Sequence, residues 1–234
     1  MRRITVRLLT GICFLCSTVP VALAGGVSER SGNVNAQGLM TLANQTQLFI
    51  EPDLALYYSP QFQWGLGHDL ELLAILGAKF GSEVETDAGL LALRYELVDG
   101  LAVGLGGTFP LQNDKKLVGI YPGLYYTQTF TEGLTWTANV ALNATVSNID
   151  KSWLWHTSVV EYVIQDDWSV YAEIDWIIPI DEELSQSDLN LYVGGQYNLN
   201  TAHALNLFVM MPLLPSVAPE NLSVGLTWAL AWSI

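Results

Sequence analysis

The C-terminal segment Leu222-Ser-Val-Gly-Leu-Thr-Trp-Ala-Leu-Ala-Trp232 alternates without a break. Successive side chains of a strand point to opposite faces. Leu222, Val224, Leu226, Trp228, Leu230 and Trp232 therefore share one face, and Ser223, Gly225, Thr227, Ala229 and Ala231 share the other. One face is large, apolar and aromatic-ended; the other is small and polar. A soluble strand turns its large face into a packed core. A membrane barrel turns that face to lipid and keeps the small or polar face for its lumen.

The remainder of the chain favours the second arrangement. Residues 1–24 read as a secretory signal peptide. Arg2, Arg3 and Arg7 form a basic start, an apolar stretch runs from Leu8 to Leu15 and resumes at Val19, and Ala22-Leu23-Ala24 forms a cleavage site. Pro20 breaks this run, which is short for a membrane helix of roughly 20 residues. Both cysteines, Cys13 and Cys16, lie in this segment, so residues 25–234 hold no thiol nucleophile, disulfide or Cys-bound metal. Neither follows a small residue, as lipoprotein processing requires.

Residues 25–234 carry six basic and 23 acidic residues, a balance of −17. That excludes nucleic acid as a partner, because phosphate binding needs clustered Lys and Arg. It also leaves no polybasic patch for anionic lipid. No later apolar stretch is long enough for a membrane helix, yet half of the residues are hydrophobic and 8 are Trp. Only helices and closed barrels satisfy their own backbone in lipid, so a membrane protein with this pattern is a barrel.

Residues 25–35 are polar and rich in Gly, Ser and Asn, and read as a flexible periplasmic leader before a barrel over 36–234. Eleven strands are predicted at 47–58, 68–78, 88–97, 101–111, 117–129, 134–146, 152–164, 168–180, 188–198, 204–213 and 221–232. Tight turns (98–100, 131–133, 165–167, 200–202) alternate with connections that are mostly longer. Outer-membrane barrels pair short periplasmic turns with longer outer loops and have even strand counts. Segment 36–44 is the candidate extra strand, giving an all-β, up-and-down antiparallel barrel of twelve; ten stays open if the first strands are misread. Tyr57, Tyr58, Trp64, Tyr121, Tyr125, Tyr126, Trp153, Trp155, Trp168, Trp228 and Trp232 lie near strand ends, as interfacial girdles require. A soluble sandwich would leave outward Trp and Leu on nearly every long strand unexplained.

Ser223-Val-Gly225-Leu-Thr-Trp228-Ala-Leu230 resembles the C-terminal targeting signal of outer-membrane proteins: a polar residue, a Gly, then aromatic and hydrophobic residues at alternate positions. Many such chains end on an aromatic residue; this one ends Trp232-Ser-Ile234. In length and general pattern the chain resembles the transporters grouped with the phenol-degradation MetA type. The resemblance implies the outer membrane of a Gram-negative bacterium, with the lipid bilayer and the outer-membrane assembly machinery as partners and a small solute as cargo.

If the apolar faces meet lipid, Glu51, Asp53, Glu71, Arg94, Glu96, Glu173 and Asp175 line the lumen. Rings of carboxylates favour cations, so these residues are expected to set selectivity in a passive channel with a narrow acidic bore. The alternative is a closed structural or adhesion barrel, plugged by an internal salt-bridge network. A third reading takes His156 and Ser158, which share a face, as a hydrolytic pair. A hairpin turning at Gln165-Asp166 puts His156 opposite Asp175 and Ser158 opposite Glu173. Such a pair is similar to the His and Ser of some outer-membrane lipid hydrolases, which need it on the exterior. The blander expectation is a His156 that lines the lumen in the acidic network. No metal-ligand spacing and no cofactor fingerprint occurs; His68, His156 and His203 lie far apart.

Overall fold

The computed structural model describes residues 32–50, 54–81, 84–86, 89–109, 111, 119–146, 152–180, 187–214 and 222–234. These residues form fourteen strands: β1 (Leu39–Phe49), β2 (Ala55–Gly67), β3 (Leu70–Ile75), β4 (Ala78–Phe80), β5 (Val84–Thr86), β6 (Gly89–Val98), β7 (Leu101–Phe109), β8 (Gly119–Thr131), β9 (Leu134–Thr145), β10 (Trp153–Gln165), β11 (Trp168–Pro179), β12 (Asp188–Asn200), β13 (His203–Leu214) and β14 (Ser223–Ser233). Each main strand pairs antiparallel with its sequence neighbour, and β1 pairs with both β2 and β14, which closes the sheet. β4 continues β3 along β2, and β5 leads into β6. The barrel therefore has twelve staves, as the alternation predicts. Full closure removes the unpaired edges that an open sheet presents.

The first staves sit elsewhere than the sequence suggests. The expected strands 36–44 and 47–58 are replaced by β1 at Leu39–Phe49 and β2 at Ala55–Gly67. Pro60 misleads here, because proline removes a ladder donor. In β2 its carbonyl accepts from Leu76 N at 3.1 Å. In an antiparallel strand a residue's N and C=O point the same way, so the proline nitrogen faces the break between β3 and β4. No donor toward β1 is lost. The turn after β2 was also hidden. His68 and Asp69 both adopt positive φ, 55° and 61°, the geometry of a type I′ hairpin, without the Asn-Gly pair that usually announces it.

Every tight hairpin carries a register shift beside its turn: at Gly65/Gly67, Glu96/Val98, Thr129/Thr131, Val163/Gln165 and Asn198/Asn200. One extra residue bulges out and the pairing moves by one. This small feature decides which side chains meet across the bore.

The outward face is apolar on almost every stave. Leu105 is 63% exposed and Leu207 is 65% exposed, and Leu91, Leu93, Leu124, Val160, Val170, Val193 and Leu226 join them. Inward positions are buried and mostly polar or small. Five aromatics expected in the girdles point inward instead: Tyr57, Tyr121, Tyr125, Trp153 and Trp155. β10 explains two of them. Both of its faces carry large residues, so alternation alone could not choose; Thr157 and Val159 are both 1% exposed, which fixes the odd-numbered positions inside.

Candidate functional site

The inward residues form two differently balanced walls. On one wall, Glu71 of β3 stands directly opposite Arg94 of β6. Arg94 Nη1 donates to Glu71 Oε1 at 2.8 Å, and both side chains are 1% exposed. The guanidinium also lies 4.4 Å over the Tyr125 ring, a cation–π contact that strengthens once desolvated. Glycine makes this stack fit: a Cβ on Gly104 would sit 2.9 Å from Tyr125 Cε2 and 3.3 Å from Arg94 Cγ.

On the other wall, Glu173 and Asp175 of β11 are 0% and 4% exposed. Thr157 Oγ1 donates to Asp175 Oδ1. Around them lie polar residues outside the expected lumen set. Tyr171 donates its hydroxyl to Asn206 Oδ1 at 2.9 Å, and Gln47 Nε2 donates to Ser223 Oγ at 2.6 Å. A Tyr192–Phe208 ring pair at 5.9 Å packs with Val159, Tyr171 and Met210. The missed signal was parity: each of these residues lies an even number of positions from a neighbour on the small or polar face.

Toward the long-loop end the first wall turns apolar. Leu73, Leu90, Ala92, Tyr121 and Ala141 cluster there with Ile75, Trp153 and Trp155 against them. A cavity of about 10 Å³ remains between Leu73, Leu90, Tyr121, Tyr125, Trp155 and Thr157, the space of roughly one water. The side chains pack closely around this cavity.

Toward the tight-turn end the chain just before β1 lies against the barrel. Gly32 N donates to Thr127 Oγ1 at 2.8 Å, Val34 N to Glu96 Oε2 at 2.9 Å, and Asn35 N to Glu71 Oε2 at 2.8 Å. Asn33 Oδ1 accepts from Gly100 N at 2.6 Å. Asn35 Nδ2 reaches Thr41 Oγ1 at 3.3 Å. These four residues are the last of the expected leader.

Of the expected lumen set, the structure brings Glu71, Arg94 and Glu96 to one wall and Glu173 and Asp175 to another. Glu51 and Asp53 lie outside the described residues, as do residues 1–31. Among the described residues, no group of three His, Cys, Asp or Glu is placed to hold a metal ion. Ser223, Gly225, Trp228 and Leu230 of the expected targeting signal all lie in β14, with Ser223 and Gly225 inward and Trp228 and Leu230 outward.

The expected facing of His156 is corrected. Thr157, not His156, stands opposite Asp175, and Val159, not Ser158, stands opposite Glu173. The hairpin turns at Asp166-Asp167 rather than Gln165-Asp166, the bulge at Val163/Gln165 takes one residue back, and the net shift of one turns every side chain to the other face. His156 and Ser158 therefore face outward, away from both carboxylates. His156 Nδ1 is 3.1 Å from the Asn139 carbonyl, and Ser158 Oγ accepts from Trp136 Nε1 at 2.9 Å. The carboxylate partners expected for a triad are thus on the opposite side of the wall.

No family model matches the chain, and no curated protein matches it. Solved structures do. The COG4313 outer membrane channel from Pseudomonas putida F1 aligns with a TM-score of 0.60 at 11% identity, over 88% of this chain and 100% of that one. The NanC porin aligns at 0.56 and 11% identity, over 83% and 100%. The KdgM porin in complex with disordered oligogalacturonate aligns at 0.54 and 8% identity, over 84% and 99%. At these identities the likeness is one of fold.

Proposed function

We propose that the protein is a passive channel of a Gram-negative outer membrane, carrying a small solute through a narrow bore whose charge is mainly acidic. One observation carries this reading: a closed twelve-stave barrel presents a mostly apolar face outward while Glu71, Arg94, Glu96, Glu173 and Asp175 point in. In water such an exterior would be an aggregation surface. In a bilayer it is the stable face, since charge there costs about 2–4 kcal/mol near the midplane. Staves of 11–13 residues suit a tilted crossing. The solved structures of similar fold are channels, and the resemblance to MetA-type transporters points the same way.

Among the described residues, Glu71, Glu96, Glu173 and Asp175 outnumber the inward cations Arg94 and Lys79. Such an interior disfavours a polyanion such as the oligogalacturonate held by the KdgM porin and favours cationic or neutral solutes. No metal or cofactor is needed for passive passage, and no chemistry is assigned to His156 or Ser158.

The burial of Glu71, Arg94 and Glu173 favours a second reading, a closed structural barrel. Planar-bilayer recording on protein purified from membranes separates them. Cation-selective current that loses its selectivity in Glu173→Gln/Asp175→Asn supports the acidic channel. Selectivity unchanged in that variant sinks the acidic filter, and silence in every condition favours the closed barrel.

A further inference from the structure

The inference concerns the segment before β1 and rests on the channel reading above. Residues 32–36 do not leave the barrel directly. They pass Gly100 and Thr127, then Glu96, then Glu71, then Gly65, before Leu39 begins β1. In stave order this path runs from β8 and β7 past β6, β3 and β2 to β1, half of the twelve. The segment therefore lines half of the tight-turn mouth.

Its anchors are not incidental surface contacts. Two are backbone N–H groups donating to carboxylates, the charge-assisted kind that is about twice as strong as a neutral pair. Glu71 serves two partners at once: Oε1 takes Arg94 and Oε2 takes Asn35 N, each at 2.8 Å. The wall is also shaped for the segment. A Cβ on inward-facing Gly65 would collide with the carbonyl oxygens of Asn35 and Ala36, and one on Gly32 with the carbonyl oxygen of Gly100. Gly65 has no positive φ to require glycine. Close approach of the segment is the constraint that remains, since glycine otherwise weakens a strand interior.

We infer that residues 32–36 form a built-in plug at the tight-turn mouth, holding the carboxylates of Glu71 and Glu96 away from passing solutes until it swings off the wall. The segment satisfies the same oxygens that a cation would seek. Its release would widen the mouth and free the Glu96 carboxylate and Oε2 of Glu71, whose Oε1 stays paired with Arg94, so conductance and cation preference would rise in concert.

Two variants release the segment from opposite sides. Val34→Pro/Asn35→Pro removes both N–H donors, because proline has none, and leaves the wall intact. Gly65→Val fills the depression in the wall with a good strand former and leaves the segment intact. Hydrogen exchange at the amides of residues 34 and 35 reads the segment directly in the wild type and in Gly65→Val. Bilayer recording reads the bore in all three proteins.

The plug predicts slow exchange at both amides in the wild type, fast exchange in Gly65→Val, and a several-fold rise in conductance with stronger cation preference in both variants. Fast exchange in the wild type would overturn the plug itself. Release without any change in a conducting protein would overturn its gating role and leave the channel standing. Release with all three proteins folded and silent would overturn the gate together with the channel reading. If either variant fails to fold, Asn33→Ala, which removes the acceptor for Gly100 N, gives the same readout with a smaller expected rise.

Discussion

The two charged walls of the bore solve one problem in different ways. On the β3–β6 wall, a carboxylate meets a guanidinium, and the guanidinium is covered by the Tyr125 ring. On the β11 wall, two carboxylates sit two residues apart and Asp175 is met by the Thr157 hydroxyl. The first arrangement sets opposite charges together; in the second, a neutral hydroxyl donates to a carboxylate. A channel that prefers cations needs the second kind, and a barrel that must stay folded is helped by the first. The comparison teaches that burial alone does not mark a selectivity residue: Glu71 and Glu173 are equally hidden, yet Glu71 meets a guanidinium while the carboxylate next to Glu173 on its wall meets a hydroxyl.

The sharpest way to break this contrast is Arg94→Met. It leaves Glu71 buried without its countercharge, and a broken buried pair is expected to lose about 3–5 kcal/mol of stability. Urea unfolding in lipid vesicles would measure it; a loss below 1 kcal/mol would mean that water reaches the pair and that the two walls do not differ. On the opposite wall, Thr157→Val removes a single hydroxyl and keeps the shape, so a loss of about 1–3 kcal/mol is expected from the same titration. A larger loss there than for Arg94→Met would reverse the ranking of the walls. The smallest effect belongs to His156→Ala. An outward residue off both walls should change stability by no more than about 0.5 kcal/mol and should leave ion selectivity untouched. Altered selectivity in that variant would mean that β10 is registered one residue away from the structure.

Much of the architecture was legible as alternation. β14, β11 and β12 each carry one mostly apolar face, and a strand with one such face has little freedom in which side it turns to the bore. Glu71, Arg94, Glu173 and Asp175 could be placed inside from parity alone. Where both faces are large, as in β10, the pattern held no answer. Where a proline or an unannounced turn intervened, as in β2 and at His68-Asp69, the boundaries moved.

The sequence by itself determined that the chain forms a strand-built barrel, and which residues of the clearly alternating staves are polar-side and which apolar-side, because a period of two leaves each strand only two choices. The tertiary structure alone decided who faces whom. The place of each tight turn and the bulge beside it set the register, so Thr157 rather than His156 meets Asp175, and closure of the barrel brings the segment before β1 beside Glu71, Glu96 and Gly100. Those contacts join residues as many as 67 positions apart, a proximity that depends on the closing of the sheet and that no local pattern encodes.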